Sequence, residues 1–119
     1  MKPSPSTIVV VDDEETICET LKDVLEEEGY RVEVASDGVD ALALLRHLEV
    51  LPRMIILDLL MPRMDGNAVL STLKADPALA GIPVVISTSD PSRAPSGVLI
   101  IKKPVDLDML LDTVRKHSA

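Results

Sequence analysis

Short runs of β-branched and aliphatic residues alternate along this chain with longer stretches whose apolar residues recur every three or four positions. The first run spans residues 7–11, and residues 14–28 follow it with Ile17, Leu21 and Leu25 on one helical face. A short apolar run predicts a buried strand, and the helical spacing predicts an amphipathic helix. Regular alternation of the two predicts a parallel sheet with helices on both of its faces.

The same alternation continues to the end of the chain. It predicts further strands at residues 30–35, 54–57, 83–87 and 98–101, and further helices at residues 39–49, at residues 66–75 and from Asp106 onward. The resulting order is βαβαβαβ, then a connection, then βα. Since no internal repeat or domain boundary interrupts it, we expect a single domain over residues 1–119 with a flexible start at residues 1–6.

Composition excludes several classes of function. The net charge of -8 argues against direct binding to nucleic acid, because affinity for phosphate depends on basic side chains. The uninterrupted apolar runs are only a few residues long, far below the roughly 18 residues of a membrane span. Residues 1–6 lack the apolar segment of a secretory signal. Cys18 is the only cysteine and forms no intrachain disulfide, so we expect a cytoplasmic location.

Polar residues stand where the predicted strands end. Asp12 and Asp13 follow the first strand, Asp58 follows the third, Thr88 the fourth, and Lys103 the fifth. In a parallel sheet, ligands bind at the carboxyl ends of the strands. If the first, third and fourth strands are neighbours, these side chains converge on one site.

A cluster of carboxylates must be neutralised, because like charges repel and their burial without a partner is costly. Mg²⁺ suits such a cluster, since it takes carboxylate oxygens and keeps open positions for water and phosphate. A hydroxyl from Thr88 and an ammonium from Lys103 would suit a phosphoryl group beside that ion. One of the carboxylates would then be a nucleophile that forms an acyl phosphate.

Taken together, these segments resemble the receiver domain of response regulators in two-component signalling, a CheY-like domain. The resemblance covers about residues 7–117, and the segments that carry it are VVVDDEE (9–15), ASDGVDAL (35–42), MIILDLLMPRMDG (54–66), IPVVISTS (82–89) and KKPVD (102–106). It implies a doubly wound, five-stranded parallel sheet of order 2-1-3-4-5, a flavodoxin-like α/β fold. It also implies a domain that catalyses only its own phosphorylation and dephosphorylation.

The resemblance assigns roles to the acidic residues. Asp58 matches the aspartate that accepts a phosphoryl group from a phosphohistidine. Asp13 matches the acid that binds Mg²⁺ directly, and Asp12 matches the acid that acts through water. The backbone carbonyl of Leu60 matches the third protein ligand. The apolar side chain of Leu60 would hinder an attacking water and lengthen the life of the phosphoryl group.

It also assigns the hydroxyl and the lysine. Thr88 matches the hydroxyl that bonds a phosphoryl oxygen, and alternation puts it on the opposite side of its strand from Ser87 and Ser89. The family's lysine directly precedes a proline, often through a cis bond that would aim it. We therefore assign Lys103 to the site and Lys102 to the surface.

The partners implied are a sensor histidine kinase or phosphotransfer protein and a downstream protein target in trans. We expect no direct contact with nucleic acid or membrane. The sequence leaves open whether the chain forms a homodimer. A receiver-derived docking or dimerisation module, with phosphorylation vestigial, is the alternative. A metal-dependent phosphatase acting on an external substrate ranks lower, because Leu60 occupies the position of the second acid that such an enzyme would need.

Two features depart from the family. Only nine residues, 89–97, separate Thr88 from Val98, whereas an average helix alone needs about 11. We therefore expect the fourth helix to be shortened or missing. Either this connection is strained, or strand five pairs differently, or the segment is disordered. The second departure is Ile100, which stands where the family usually has the aromatic ring that turns inward on activation.

Overall fold

The strands and helices follow one another in the predicted order. A computed structural model describes residues 6–61 and 63–117 of the chain, so most of the predicted flexible start, residues 1–5, lies outside the described residues. The elements are β1 (Thr7–Val11), α1 (Glu15–Glu27), β2 (Arg31–Ala35), α2 (Gly38–His47), β3 (Met54–Asp58), α3 (Gly66–Ala75), β4 (Val84–Thr88), β5 (Leu99–Lys102) and α4 (Leu107–His117). The predicted bounds of the last two strands were therefore one residue early.

The five strands form one parallel sheet of order β2-β1-β3-β4-β5, which confirms the predicted fold. Val10 of β1 lies in register with Ile56 of β3, and Asp58 at the end of β3 lies in register with Ser87 of β4. The first and third strands are therefore neighbours, and their acidic ends meet at one edge of the sheet.

Alternation along the strands divides the core between the two faces of the sheet. Val9 and Ile55 pack toward α2 and α3. Val10, Ile56 and Val85 pack instead toward α1 and α4. The cores on both faces are aliphatic, as the single aromatic residue of the chain requires. None of the described helices has the length and hydropathy that a bilayer crossing needs.

The fourth helix of the usual fold is reduced to a single 3-10 turn at Pro91–Arg93, as predicted. β5 nevertheless pairs in parallel with β4, so the alternative in which strand five pairs differently is wrong. Ala94 and Val98, which follow this turn, pack against the core beneath α3. This short connection therefore covers part of the sheet that a helix would otherwise cover.

The remaining part of that face stays open. Leu99 is 37% exposed and Ile100 is 40% exposed on the edge strand. A shallow apolar cavity of about 380 Å³ runs from Leu73 of α3 to Val98 and Leu99. Position 100 thus lies at the surface, in the region that a fourth helix would have bordered.

Candidate functional site

Three carboxylates meet at the carboxyl edge of the sheet. Carboxylate oxygens of Asp12, Asp13 and Asp58 lie within 4.8 Å of one another. Asp12 is 3% exposed and Asp58 is 4% exposed, whereas Asp13 is open to solvent. Because β1 and β3 are adjacent and end at the same level, the strand order itself brings Asp12 and Asp58 together.

Lys103 supplies the positive charge beside them. Its Nζ lies 2.9 Å from Oδ2 of Asp12 and 3.7 Å from both Oδ1 of Asp58 and Oε1 of Glu14. The peptide bond between Lys103 and Pro104 is cis, as the resemblance implied. Burial lowers the pKa of Lys103, but the hydrogen bond and charge of Asp12 together with the charge of Asp58 raise it above its ordinary value. The lysine therefore stays protonated.

Asp58 is harder to ionise than an ordinary carboxyl group. Burial and the nearby charge of Asp12 raise the pKa of Asp58 from 3.8 to about 6, against the opposing effect of Lys103. The backbone N–H of Leu60 donates to Oδ1 of Asp58 across 3.3 Å. The carboxylates of Asp12, Asp13 and Asp58 thus have one ammonium, that of Lys103, beside them. The excess of negative charge favours the binding of a hard divalent cation.

The loop after β3 is built tightly against Asp58. The N–H of Gly66 donates to the carbonyl of Leu59 across 2.9 Å. A Cβ at Gly66 would lie 2.3 Å from the carbonyl oxygen of Asp58, so only glycine fits there. Asp65 caps α3 by accepting a hydrogen bond from the N–H of Ala68. The loop that carries the carbonyl of Leu60 therefore has a close backbone contact at its far end.

An arginine ties the same loop to the second helix. Arg63 adopts a left-handed conformation, with φ of 64°. Its Nε donates to Oδ2 of Asp37 across 2.7 Å, and its guanidinium also contacts Asp40. Asp37 is itself the cap of α2 and accepts from the N–H of Asp40. Sequence reasoning missed this pair, because 26 residues separate its members and nothing local marks it.

Thr88 is fully buried at the end of β4, and its hydroxyl is occupied by backbone. Its Oγ1 accepts a hydrogen bond from the N–H of Asp90 across 3.1 Å. None of its described hydrogen bonds reaches Asp58. Of the site residues predicted from sequence, the three aspartates and Lys103 are thus brought together, while the Thr88 hydroxyl turns to its own loop. Lys102 is exposed, as expected.

Two further residues, Glu14 and Cys18, contact the acids in a way that the sequence analysis did not predict. Glu14 was placed only at the start of the first helix, yet its N–H donates to Oδ1 of Asp12 across 2.9 Å and its carboxylate lies 3.7 Å from the ammonium of Lys103. Cys18 is buried and its thiol donates to the carbonyl of Asp12. Burial, followed by the charge of Asp12, raises the pKa of Cys18 to about 11, so its thiol stays protonated and unreactive.

The donor set fits Mg²⁺. Carboxylate oxygens are the ligands that this ion prefers, two of the three here are buried, and a backbone carbonyl follows in the adjacent loop. Asp58 lies at the centre of the group, in contact with both the loop and the lysine. The arrangement resembles other phosphoryl-transfer sites, which combine a cation, a lysine and a nucleophilic oxygen.

Comparison with known proteins agrees with this geometry. The model of the response regulator receiver domain family matches residues 8–115. Response regulator PleD of Caulobacter vibrioides is 41% identical over 115 residues, which cover 91% of this chain and 25% of PleD. The DNA-binding response regulator MtrA of Mycobacterium tuberculosis is 40% identical over 82 residues, covering 69% of this chain and 34% of MtrA. The chain thus spans a quarter to a third of these relatives.

Solved structures are similar over nearly the whole chain. A response regulator of Chloroflexus aurantiacus superposes with a TM-score of 0.87 at 29% identity, covering 97% of this chain and 98% of that one. The signal receiver domain of a histidine kinase from Syntrophus aciditrophicus superposes with a TM-score of 0.84 at 36% identity, covering 95% and 89%. The chain therefore belongs to the response regulator receiver domain family of two-component signalling.

Proposed function

We propose that this receiver domain accepts a phosphoryl group on Asp58 and transmits the change through protein–protein contacts. The observation that carries the proposal is the convergence of three carboxylates within 4.8 Å, with the ammonium of Lys103 beside them. The donor would be a phosphohistidine on a sensor histidine kinase or a phosphotransfer protein. The domain would work in the cytoplasm, where such donors are found.

The transfer is a single displacement at phosphorus. A carboxylate oxygen of Asp58 attacks the phosphorus atom, and the bond from phosphorus to the imidazole nitrogen breaks. The electron pair of that bond returns to the imidazole ring, and Asp58 becomes an acyl phosphate. With its pKa near 6, Asp58 is largely ionised at neutral pH and its attacking oxygen carries a lone pair.

Asp12, Asp13, Asp58 and the backbone carbonyl of Leu60 would hold Mg²⁺. The bound ion would neutralise charge on the transferring phosphoryl oxygens. Lys103 stays protonated within 3.7 Å of Asp58 and would pair with the new phosphoryl group. Thr88 would have to release the N–H of Asp90 before its hydroxyl could bond a phosphoryl oxygen.

The phosphorylated domain would contact its protein target through a surface that differs from the family's usual one. The region that normally contains the fourth helix is a single 3-10 turn here, and Ile100 lacks the ring that would report movement at Thr88. The charge of -8 supports a protein target rather than nucleic acid. The domain would catalyse only its own phosphorylation and dephosphorylation.

Phosphorylation can be tested with a small-molecule donor. Incubation with acetyl phosphate and Mg²⁺ should add one phosphoryl mass to the wild-type chain, measured on the intact protein. Asp58→Asn should abolish the adduct, and Asp23→Asn, a change on the exposed side of α1, should keep it. Absence of any adduct with every donor, or an adduct that persists in Asp58→Asn, would contradict the proposal.

The same preparation separates a switch from a constitutive docking module. A phosphorylation switch requires the affinity for its partner to change when beryllofluoride and Mg²⁺ mimic the phosphorylated state. Equal affinity with and without the mimic would instead identify a receiver whose phosphorylation is vestigial.

A further inference from the structure

Ser87 carries a polar atom without a partner. The residue lies in β4 and is 2% exposed. Within residues 6–61 and 63–117, its Oγ is the only buried side-chain oxygen or nitrogen with no hydrogen bond. A buried hydroxyl in this condition costs free energy, and a folded protein seldom keeps one without use. The position of Ser87 suggests what that use is.

Ser87 lies beside Asp58 on the same face of the sheet. The two residues are in register on adjacent parallel strands, and registered side chains point to the same face. Val85 and Ile101, the neighbours of Ser87 by alternation and by register, pack toward α1 and α4. The hydroxyl of Ser87 is therefore on the face from which Asp58 and Lys103 meet.

The side chain of Lys103 has to cross β4. Lys103 follows the edge strand β5, but its ammonium reaches Asp12 at the end of β1, and β4 and β3 lie between them. Adjacent strands are about 4.8 Å apart, so the way from β5 to the end of β1 leads past the ends of β4 and β3. The N–H of Lys103 also donates to the carbonyl of Thr88 across 2.8 Å, which anchors the lysine backbone next to Ser87.

We propose that Ser87 is a positioning residue whose hydroxyl oxygen accepts a hydrogen bond from the ammonium of Lys103 once a divalent cation occupies the carboxylates. This inference rests on the proposed metal site. In the structure, Nζ of Lys103 donates a hydrogen bond to Oδ2 of Asp12. An ion held by Asp12 competes for that oxygen and repels the ammonium, so Lys103 must move back toward β4. Ser87 offers a neutral acceptor along that path.

Removal of the Ser87 hydroxyl would then have different effects with and without a bound cation. In the metal-free state the hydroxyl is buried and unsatisfied, and its removal should not destabilise the fold. In the metal-bound state the hydroxyl oxygen accepts a hydrogen bond from the displaced ammonium of Lys103, so removal of the hydroxyl should weaken metal binding. A side chain that only fills space would not produce this pair of effects.

The test measures the Kd for Mg²⁺ by calorimetric titration, since the chain has no tryptophan to report binding. Ser87→Ala should weaken Mg²⁺ binding about 10- to 100-fold, the loss expected for one hydrogen bond to a charged group. Its Tm in EDTA should equal or exceed that of the wild type. Ser71→Ala, the same atomic deletion on the exposed side of α3, should leave the Kd for Mg²⁺ unchanged.

A double-mutant cycle shows whether Ser87 acts through the lysine. In a Lys103→Met background, adding Ser87→Ala should leave the Kd for Mg²⁺ unchanged, because the ammonium that it serves is gone. Ser87→Cys, which keeps the size of the side chain but accepts hydrogen bonds weakly, should repeat the loss of affinity and guards against a packing defect in the alanine variant.

Three results would overturn the inference. The first is an unchanged Kd in both Ser87 variants, and the second is an equal loss of affinity in the Lys103→Met background. The third is a lower Tm of Ser87→Ala in EDTA, which would show that the hydroxyl is already satisfied without metal. If the wild type itself bound no Mg²⁺, the proposed function would fail as well, whereas the first three results leave it standing.

Discussion

The ammonium nitrogen of Lys103 lies 2.9 Å from Oδ2 of Asp12, although 91 residues separate them along the chain. The contact joins the end of the edge strand to the end of a central strand, across the site formed by the acids. The same ammonium lies within 3.7 Å of carboxylate oxygens of Glu14 and Asp58, so one positive charge offsets several negative charges and the site keeps an excess of negative charge. Removing a negative charge from it should therefore stabilise the fold.

Asp58→Asn should stabilise the protein at pH 7 in EDTA by about 2–3 kcal/mol. Burial and the charge of Asp12 raise the pKa of Asp58 to about 6, whereas the unfolded chain titrates near 3.8. The folded state thus holds this proton more tightly, and the wild type loses stability as the pH rises from about 4 to about 6. The gain from Asn should be full above that window and absent below it.

Denaturant unfolding in EDTA at pH 3.5 and pH 7.5 would measure the difference. Asp23→Asn provides a control on the exposed side of α1, where removal of a carboxylate should have little effect at either pH. An equal gain from Asp58→Asn at both pH values would show that the carboxylate carries no penalty when ionised.

Gly66→Ala should destabilise the protein by about 1–3 kcal/mol, the range for an overpacked site. The new Cβ would lie 2.3 Å from the carbonyl oxygen of Asp58 and 2.8 Å from Cα of Leu59, and neither backbone can yield cheaply. Gly81→Ala is the matched control, because a Cβ there meets nothing within 4 Å. Thermal unfolding of the two variants should differ clearly, and similar values would contradict the close contact.

The sequence predicted the elements and the acidic site because each depended on local pattern or on strand ends. Asp12 and Asp58 follow apolar runs, and parallel pairing alone brings such ends together. Ser87 could not be interpreted the same way. Alternation along the strand predicted that Ser87 lies on the opposite side from Thr88. Whether the Ser87 hydroxyl has a hydrogen-bond partner depended instead on the packing of β5 and α1 around it. The Arg63–Asp37 pair was hidden for the same reason, since no local signal links a loop to a distant helix cap.

Arg63→Ala should lower the Tm more than Arg93→Ala does. Both side chains are more than half exposed, but Arg63 pairs with the buried cap Asp37, whereas Arg93 pairs with the exposed Asp90. The N–H of Asp40 and the guanidinium of Arg63 hold the pKa of Asp37 below its ordinary value. Arg63→Ala should therefore also raise the pKa of Asp37, which an NMR titration of the carboxyl carbon would follow. Equal effects of the two variants would reduce the Arg63 pair to an ordinary surface contact.

Leu60→Asn should shorten the life of the phosphoryl group about three- to tenfold, equivalent to roughly 1 kcal/mol of barrier. Water must attack the phosphorus and release the oxygen of Asp58, and the apolar side chain of Leu60, 46% exposed beside that residue, offers the water no hydrogen bond. The amide of an asparagine at position 60 would hydrogen-bond to the attacking water. Leu51→Asn is the control, since Leu51 is also 46% exposed but lies in the loop that enters β3 from the opposite end. Decay of the phosphorylated mass after removal of the donor would measure both variants, and equal decay in Leu60→Asn and the wild type would show that this side chain does not govern access of water.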